Sequence, residues 1–154
     1  MKYYSALLIL FCLHTFNGYG QDHDYQGIPS LIWPKLYNIS FEKGTDNFGE
    51  YDIPVFSKEV INLEKKEITL PGYIVPFEGT TESKTFLFSA LPLNACFFCG
   101  VGGPESVIEI HMESPIRYVE NAVEMKGILK LNKDNPDQHF YILENASLLG
   151  KVNN

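Results

Sequence analysis

The sequence predicts an all-β fold, a small five-stranded barrel that follows an N-terminal extension. From about residue 63 onward, apolar and polar residues alternate in five segments separated by turn residues, as in half-buried strands. The first and fourth segments carry glycines in mid-strand, Gly72 and Gly127, which let a sheet bend sharply. The closest common plan is the oligonucleotide/oligosaccharide-binding (OB) type of barrel. A two-sheet sandwich is the alternative.

Residues 1–20 have the pattern of a secretory signal peptide. Lys2 gives a short positive start, the stretch 6–16 is mostly apolar, and Gly18 and Gly20 place small residues before an expected cleavage site after Gly20. The apolar stretch is shorter than the roughly 20 residues that a membrane-spanning helix needs. We therefore expect an exported protein, periplasmic or extracellular in a bacterium, with no integral membrane span.

Four segments follow from these patterns. They are the signal peptide at 1–20, the N-terminal extension at 21–62, the barrel domain at 63–150 and a tail at 151–154. In the extension, Pro29 and Pro34 exclude a long helix, so we expect one helical turn near Leu36 or an extended arm, with Trp33 anchored on the domain. The composition of residues 44–51 predicts a loop.

The alternation places the strands of the barrel. They are expected at 66–76, 84–91, 106–112, 122–131 and 139–149. The third has the clearest pattern, with Ile108, Ile110 and Met112 on one face and Glu109 and His111 on the other. Glu109 is expected to be a solvated side chain of the outer face.

The most unusual stretch lies between the second and third predicted strands. It holds Cys96 and Cys99, the cysteines expected in the mature protein because Cys12 falls within the signal peptide. A closed zinc site or an iron–sulfur cluster needs four ligands, and c-type haem needs His directly after the second Cys. A thioredoxin-type pair needs a helix there, which the glycines at 100, 102 and 103 oppose.

Three interpretations of Cys96 and Cys99 remain open. In the first, they form a disulfide, either structural or redox-active. In the second, they bind a transition metal such as zinc, with His111 and Glu105 as the residues that would complete the site. In the third, they are structural cysteines packed beside the two phenylalanines that separate them.

A separate hypothesis concerns the N-terminus. After cleavage the chain would begin Gln21-Asp22-His23, and a free amine with His in third place can hold Cu(II) in a square plane of four nitrogens. Cyclisation of Gln21 would remove the amine and with it the site.

Charge and motifs limit the function classes. Removal of Lys2 takes the net charge from −7 to −8, which argues against nucleic acid as a partner because phosphates are bound by excess Lys and Arg. The sequence contains neither a Gly-x-Ser-x-Gly elbow nor a phosphate-binding glycine loop that opens a helix. We therefore expect a protein that is not an enzyme.

A motif Pro-Gly-Tyr-Ile-Val-Pro at 71–76 is followed by Phe-Leu-Phe at 86–88, the cysteine stretch at 96–105 and Gly-Ile-Leu-Lys-Leu-Asn at 127–132. In that order, with shorter pieces at 33–36 and 54–56, these segments resemble an uncharacterised bacterial family of short exported proteins, the DUF3299 group of domains of unknown function. The resemblance implies an envelope location and an association with metal-uptake transport systems. Many members have a proline-rich continuation after the first Cys, where this chain has Phe-Phe-Cys-Gly.

The expected function is therefore an exported, non-enzymatic binding module for envelope metal handling. Its site would be the stretch from Cys96 to Glu105, and its partner an envelope protein such as a component of a metal-transport system. One alternative is a thiol–disulfide redox accessory protein that uses Cys96 and Cys99. The other is an interaction protein that docks through Phe97 and Phe98. The sequence does not indicate an oligomeric state.

Overall fold

A computed structural model describes residues 28–46, 49–76, 82–93 and 102–152. The elements are α1 (Trp33–Leu36), β1 (Ile39–Asp46), β2 (Gly49–Phe56), α2 (Lys58–Ile61), β3 (Glu67–Ile74), β4 (Glu82–Ser89), a 3₁₀ turn (Pro104–Ser106), β5 (Val107–Arg117), β6 (Val123–Leu131) and β7 (Tyr141–Lys151). Strands make up 57% of the structure, so the prediction of a mainly β protein is confirmed. The predicted signal peptide and His23 lie outside the described residues.

Five strands, β3 to β7, form one sheet in the order β3-β4-β5-β7-β6. The neighbouring strands are antiparallel except β5 and β7, which run parallel with Glu109 opposite Ile142. Because β6 also pairs with β3, each of these strands has two neighbours. We call this assembly the five-stranded sheet. Each of its strands corresponds to one of the five predicted strands, although β5 continues to Arg117, beyond its predicted end at residue 112.

The hydrophobic core lies on the inner face of the five-stranded sheet. Along β5, Ile108, Ile110 and Met112 are buried, whereas Glu109 and His111 between them are only half-buried on the outer face. This is the alternation that the sequence predicts. Each fully buried aliphatic side chain contributes roughly 1.5–3 kcal/mol relative to an exposed one. No helix of the described residues is long and apolar enough to cross a membrane.

Gly72 lies where β3 changes its partner. The strand pairs with β6 up to Gly72 and with β4 from Tyr73 onward. A Cβ at position 72 would come within 2.5 Å of the Ser89 carbonyl oxygen and 2.7 Å of the Phe88 ring. The two strands can approach this closely only because position 72 carries no side chain.

Gly127 marks an irregularity in β6. The register between β6 and β7 shifts between Lys126 and Ile128, which is the bulge that a mid-strand glycine indicates. A Cβ at Gly127 would lie 2.8 Å from the Leu143 side chain and 2.9 Å from the Glu144 carbonyl oxygen. The close approach again requires glycine.

Two buried hydrogen bonds tie α1 to the five-stranded sheet. The Trp33 indole donates from Nε1 to the Pro71 carbonyl at 2.7 Å, and the Tyr141 hydroxyl donates to the Leu36 carbonyl at 2.8 Å. The second bond accommodates a carbonyl at the end of the helix that has no partner within the helix. The expected helical turn near Leu36 and the anchoring of Trp33 are both present.

β1 and β2 form a separate hairpin. Its base is buried through Pro54 and Phe56, whereas Phe41, opposite Pro54, and Tyr51, further out, are exposed. The prediction of a loop over residues 44–51 is wrong, because β1 extends into this range and β2 covers its second part. The outer half of the hairpin exposes both faces, so it lacks the alternation that indicates a strand. A Cβ at Gly44 would meet the Tyr51 ring at 2.8 Å, so this ring covers the glycine opposite it.

Candidate functional site

The stretch that carries Cys96 and Cys99 lies in the chain between β4 and β5. Residues 94–101, with both cysteines, lie outside the described residues, but the chain on either side of them is described. The Ala90 N–H donates to the Ser106 carbonyl at 2.9 Å. The Ser106 hydroxyl donates to the Gly103 carbonyl at 2.6 Å. The first of these bonds joins the two ends of the stretch at its base, and the second fixes the turn at its later end.

Glu105, one of the predicted ligands, lies in the 3₁₀ turn at this base and is half-buried. Burial raises the pKa of the Tyr37 and Tyr141 phenols, and the negative charge of Glu105 raises it further. The carboxylate therefore lies near α1 and the start of β7. Both tyrosines are therefore neutral at physiological pH.

His111, the other predicted completing ligand, forms a pair with Glu109 on the outer face of β5. The His111 Nε2 and the Glu109 Oε1 are 2.7 Å apart, and the two side chains are 30% and 14% exposed. An ionised carboxylate only accepts hydrogen bonds, so Nε2 carries the proton in this bond. In the neutral ring, the lone pair is then on Nδ1.

Glu109 is not the solvated residue that the sequence suggests. Its second oxygen, Oε2, accepts a hydrogen bond from the His139 backbone N–H at 2.8 Å. Both carboxylate oxygens are thus engaged, one by an imidazole and one by the backbone before β7. The sequence gives no signal for this role, because the donor on His139 belongs to the main chain and lies 30 positions away.

His139 links the turn before β7 to the base of the cysteine stretch. Its Nδ1 accepts from the Tyr141 N–H at 3.2 Å, and its ring lies 4.2 Å from that of Phe140. Burial lowers the pKa of His139, although the charge of Glu109 and a backbone hydrogen bond with Pro104 oppose this. Because proline has no N–H, Pro104 takes part through its carbonyl. We therefore assign His139 the neutral form with the proton on Nε2.

Asn132 organises the turn between β6 and β7. Its amide Nδ2 donates to three carbonyls of that turn, those of Asn135, Gln138 and His139 at 2.7, 3.1 and 3.3 Å. Its Oδ1 accepts from two backbone N–H groups of the same turn. One side chain thus holds the backbone that presents the His139 N–H to Glu109. Asparagine in such a turn is a familiar sequence signal for local side chain–backbone bonding.

Of the predicted ligands, the structure describes His111 and Glu105, and it gives them different neighbours. His111 is paired with Glu109, whereas Glu105 lies near Tyr37 and Tyr141. In the described ranges, no group of three or more His, Cys, Asp or Glu side chains could hold a metal ion. The predicted site with Cys96 and Cys99 extends into residues outside those ranges and stays a prediction, as does the Cu(II) site at His23.

Comparison of the chain with protein-family models, with curated proteins and with solved structures found no match in any of the three. The resemblance to the DUF3299 group therefore stays a prediction. The fold and the candidate site rest on their own geometry.

Proposed function

We propose that this protein is an exported, non-enzymatic binding module that holds a transition metal, with zinc as the metal we expect. In this proposal Cys96 and Cys99 supply two thiolates and His111 an imidazole, a set that suits zinc. Glu105, the carboxylate nearest to the cysteines in the chain, is the fourth ligand.

One observation carries the proposal: the hydrogen bond of 2.7 Å between His111 and Glu109. Metal-binding histidines almost always donate their second ring N–H to a carboxylate, a carbonyl or water, which fixes the ring and makes the ligand nitrogen more basic. His111 has this arrangement already, on a side chain that is still 30% exposed. The hydrogen bond between Ala90 and Ser106 also supports the proposal, because it holds together the two points between which the cysteines lie in the chain.

The architecture that we propose is a five-stranded barrel of the OB type. It is supported by the pairing of β6 with β3, which completes a cycle through all five strands. In OB-type barrels the face of the second and third strands binds ligands, and these strands correspond here to β4 and β5. His111 and Glu109 project from the outer face of β5. This is an analogy between folds, and it bears on where a ligand binds rather than on which ligand it is.

The location and partner in the proposal follow from the sequence. The N-terminal signal pattern supports export to a bacterial envelope. The resemblance to the DUF3299 group supports a protein of a metal-transport system as the partner. The acidic net charge of the mature chain, −8 after loss of Lys2, is consistent with a partner other than nucleic acid.

Cobalt(II) titration of the reduced mature protein, residues 21–154, tests the proposal. We expect tetrahedral d–d absorption together with thiolate-to-cobalt charge transfer, both lost when zinc is added. Cys96→Ser should remove much of the charge-transfer band, and His111→Ala should weaken cobalt binding at least tenfold. Glu113→Gln, an exposed position two residues further along β5, is the matched control and should change neither.

Other outcomes would identify the other classes. If Cys96 and Cys99 form a disulfide that cycles readily with thiols, and the reduced protein binds no cobalt, the redox class replaces the metal class. If the thiols are free and cobalt gives no thiolate band, both classes fail and docking through Phe97 and Phe98 remains. His23→Ala, measured in parallel with copper(II), reports the N-terminal site separately.

A further inference from the structure

We infer that Glu109 is a positioning residue that holds His111 in one tautomer, with the proton on Nε2, so that Nδ1 is the nitrogen presented to a ligand. The identity of the ligand rests on the proposed function. The tautomer does not, because it follows from contacts within the metal-free chain.

The contacts of Glu109 leave it little freedom. Oε1 lies 2.7 Å from the His111 Nε2 and Oε2 lies 2.8 Å from the His139 backbone nitrogen. The side chain is 14% exposed, so water competes weakly for these oxygens. A carboxylate fixed at both oxygens offers the imidazole an acceptor and never a donor.

The backbone on both sides of this carboxylate is fixed as well. Glu109 lies in the middle of the five-stranded sheet, opposite Leu87 on β4 and Ile142 on β7. The His139 N–H belongs to the turn that Asn132 holds through hydrogen bonds to carbonyls and N–H groups. The position of the carboxylate is therefore set by the fold rather than by the half-buried His111 itself.

The chemical consequence is a choice between the two ring nitrogens. With Nε2 protonated and bonded to Glu109, only Nδ1 has a lone pair with which to bind a metal ion or accept a hydrogen bond. A ligand must then approach His111 from the side of the ring that faces away from Glu109. Loss of such a carboxylate partner typically costs 10–100-fold in metal affinity.

Nitrogen NMR of the imidazole rings in the metal-free mature protein tests the tautomer directly. At a pH where His111 is neutral, we expect Nε2 protonated and Nδ1 unprotonated. The same protein unfolded in urea gives the tautomer ratio of an unconstrained ring. In Glu109→Gln, the amide can either donate or accept, so the native spectrum should move toward the unfolded ratio. Cobalt affinity should fall about 10–100-fold in the same variant, whereas Glu113→Gln should alter neither measurement.

The outcomes separate this inference from the proposed function. Protonation at Nδ1, or the unfolded tautomer ratio, in the native protein overturns the inference even if cobalt binds. The expected tautomer without any cobalt binding overturns the metal proposal and leaves the positioning role standing. An unchanged tautomer in Glu109→Gln also overturns the inference. If that variant does not fold, the tautomer is tested with the wild-type spectrum and with Glu109→Asp. The Asp side chain keeps the charge but shortens the reach.

Discussion

The five-stranded sheet and the β1–β2 hairpin are built from strands of similar length but are stabilised in different ways. In the sheet, each strand has two hydrogen-bonded neighbours and an inner face buried in the core. In the hairpin, β1 and β2 pair with each other, and Phe41 and Tyr51 are 38% and 46% exposed. A lone two-stranded hairpin is marginally stable in water. The comparison shows that pairing alone does not stabilise a strand; the burial of one face does.

The hairpin is supported where its base meets the sheet. Aromatic rings from both regions lie in contact there, with centroid distances of 5.5 Å for Phe41 and Phe140, 6.5 Å for Phe56 and Phe140 and 5.7 Å for Phe56 and Tyr141. Because Phe140 directly precedes β7 and Tyr141 begins it, the hairpin depends on the sheet for its stability. The sheet has its own core and does not depend on the hairpin to the same degree.

Removing the same side chain from the two regions gives the sharpest contrast. Phe88→Ala empties a position that is 0% exposed in the core of the sheet, and we expect a loss of about 3–5 kcal/mol in the free energy of unfolding. Phe41→Ala removes an exposed ring with one edge-to-face partner, and we expect about 0.5–1.5 kcal/mol. Urea unfolding of both variants measures the difference. Equal losses would contradict the view that the two regions are stabilised differently.

A smaller loss of stability is expected when the hydrogen bond between α1 and the sheet is removed. Tyr141→Phe removes the hydroxyl that donates to the Leu36 carbonyl and leaves that carbonyl buried without this donor, at a cost of about 1–3 kcal/mol. Hydrogen exchange should show faster exchange at the Leu36 and Tyr37 amides, with β5 unchanged. The control is Tyr51→Phe, whose hydroxyl is on the exposed hairpin and whose loss should be within about 0.5 kcal/mol. Uniform loss of protection across all strands would argue against a local role.

The smallest expected effect is a pH dependence of the free energy of unfolding, and it comes from His139 in the turn before β7 of the sheet. Because burial lowers the pKa of His139 below its ordinary value of 6.5, the unfolded chain binds this proton at a higher pH than the folded one. The contribution of neutral His139 to the free energy of unfolding is therefore fully present above pH 6.5. It is lost as the pH falls toward the pKa of His139 in the folded protein, with a slope of at most about 1.4 kcal/mol per pH unit. Unfolding free energies between pH 7.5 and 5 should fall less steeply in His139→Gln than in the wild type. Parallel curves for the two proteins would show that His139 does not contribute to the loss of stability at acid pH.

The sheet was predictable because burial leaves a pattern in the sequence. Ile108, Ile110 and Met112 alternate with residues of the outer face, and the alternation survives because a shift by one residue would expose the whole set. Gly127 likewise indicated its bulge. The hairpin left no such pattern, because both faces of its outer half meet water and its Gly, Asp and Glu residues are those of an ordinary loop.

The candidate site was predictable in part. His111 could be selected because imidazole is a common ligand and the residue alternates with buried neighbours. The role of Glu109 could not be predicted, because one of its partners is the backbone N–H of His139, and main-chain donors leave no trace in the residue types. The position of Glu105 beside Tyr37 and Tyr141 depends on the turn of the chain before β5, which the strand pattern does not specify.

The place of β7 in the sheet has a consequence for folding. The strand comes last in the chain, yet it lies between β5 and β6, and its pairing joins Ile142 to Glu109. Before it is in place, β5 and β6 each present an unpaired edge, and such edges are templates for pairing with other chains. Contacts between positions so far apart in sequence also form slowly. The growing chain therefore passes through a period in which β5 and β6 are already made and can pair with other chains, and this period ends only when residues 141–151 insert between them.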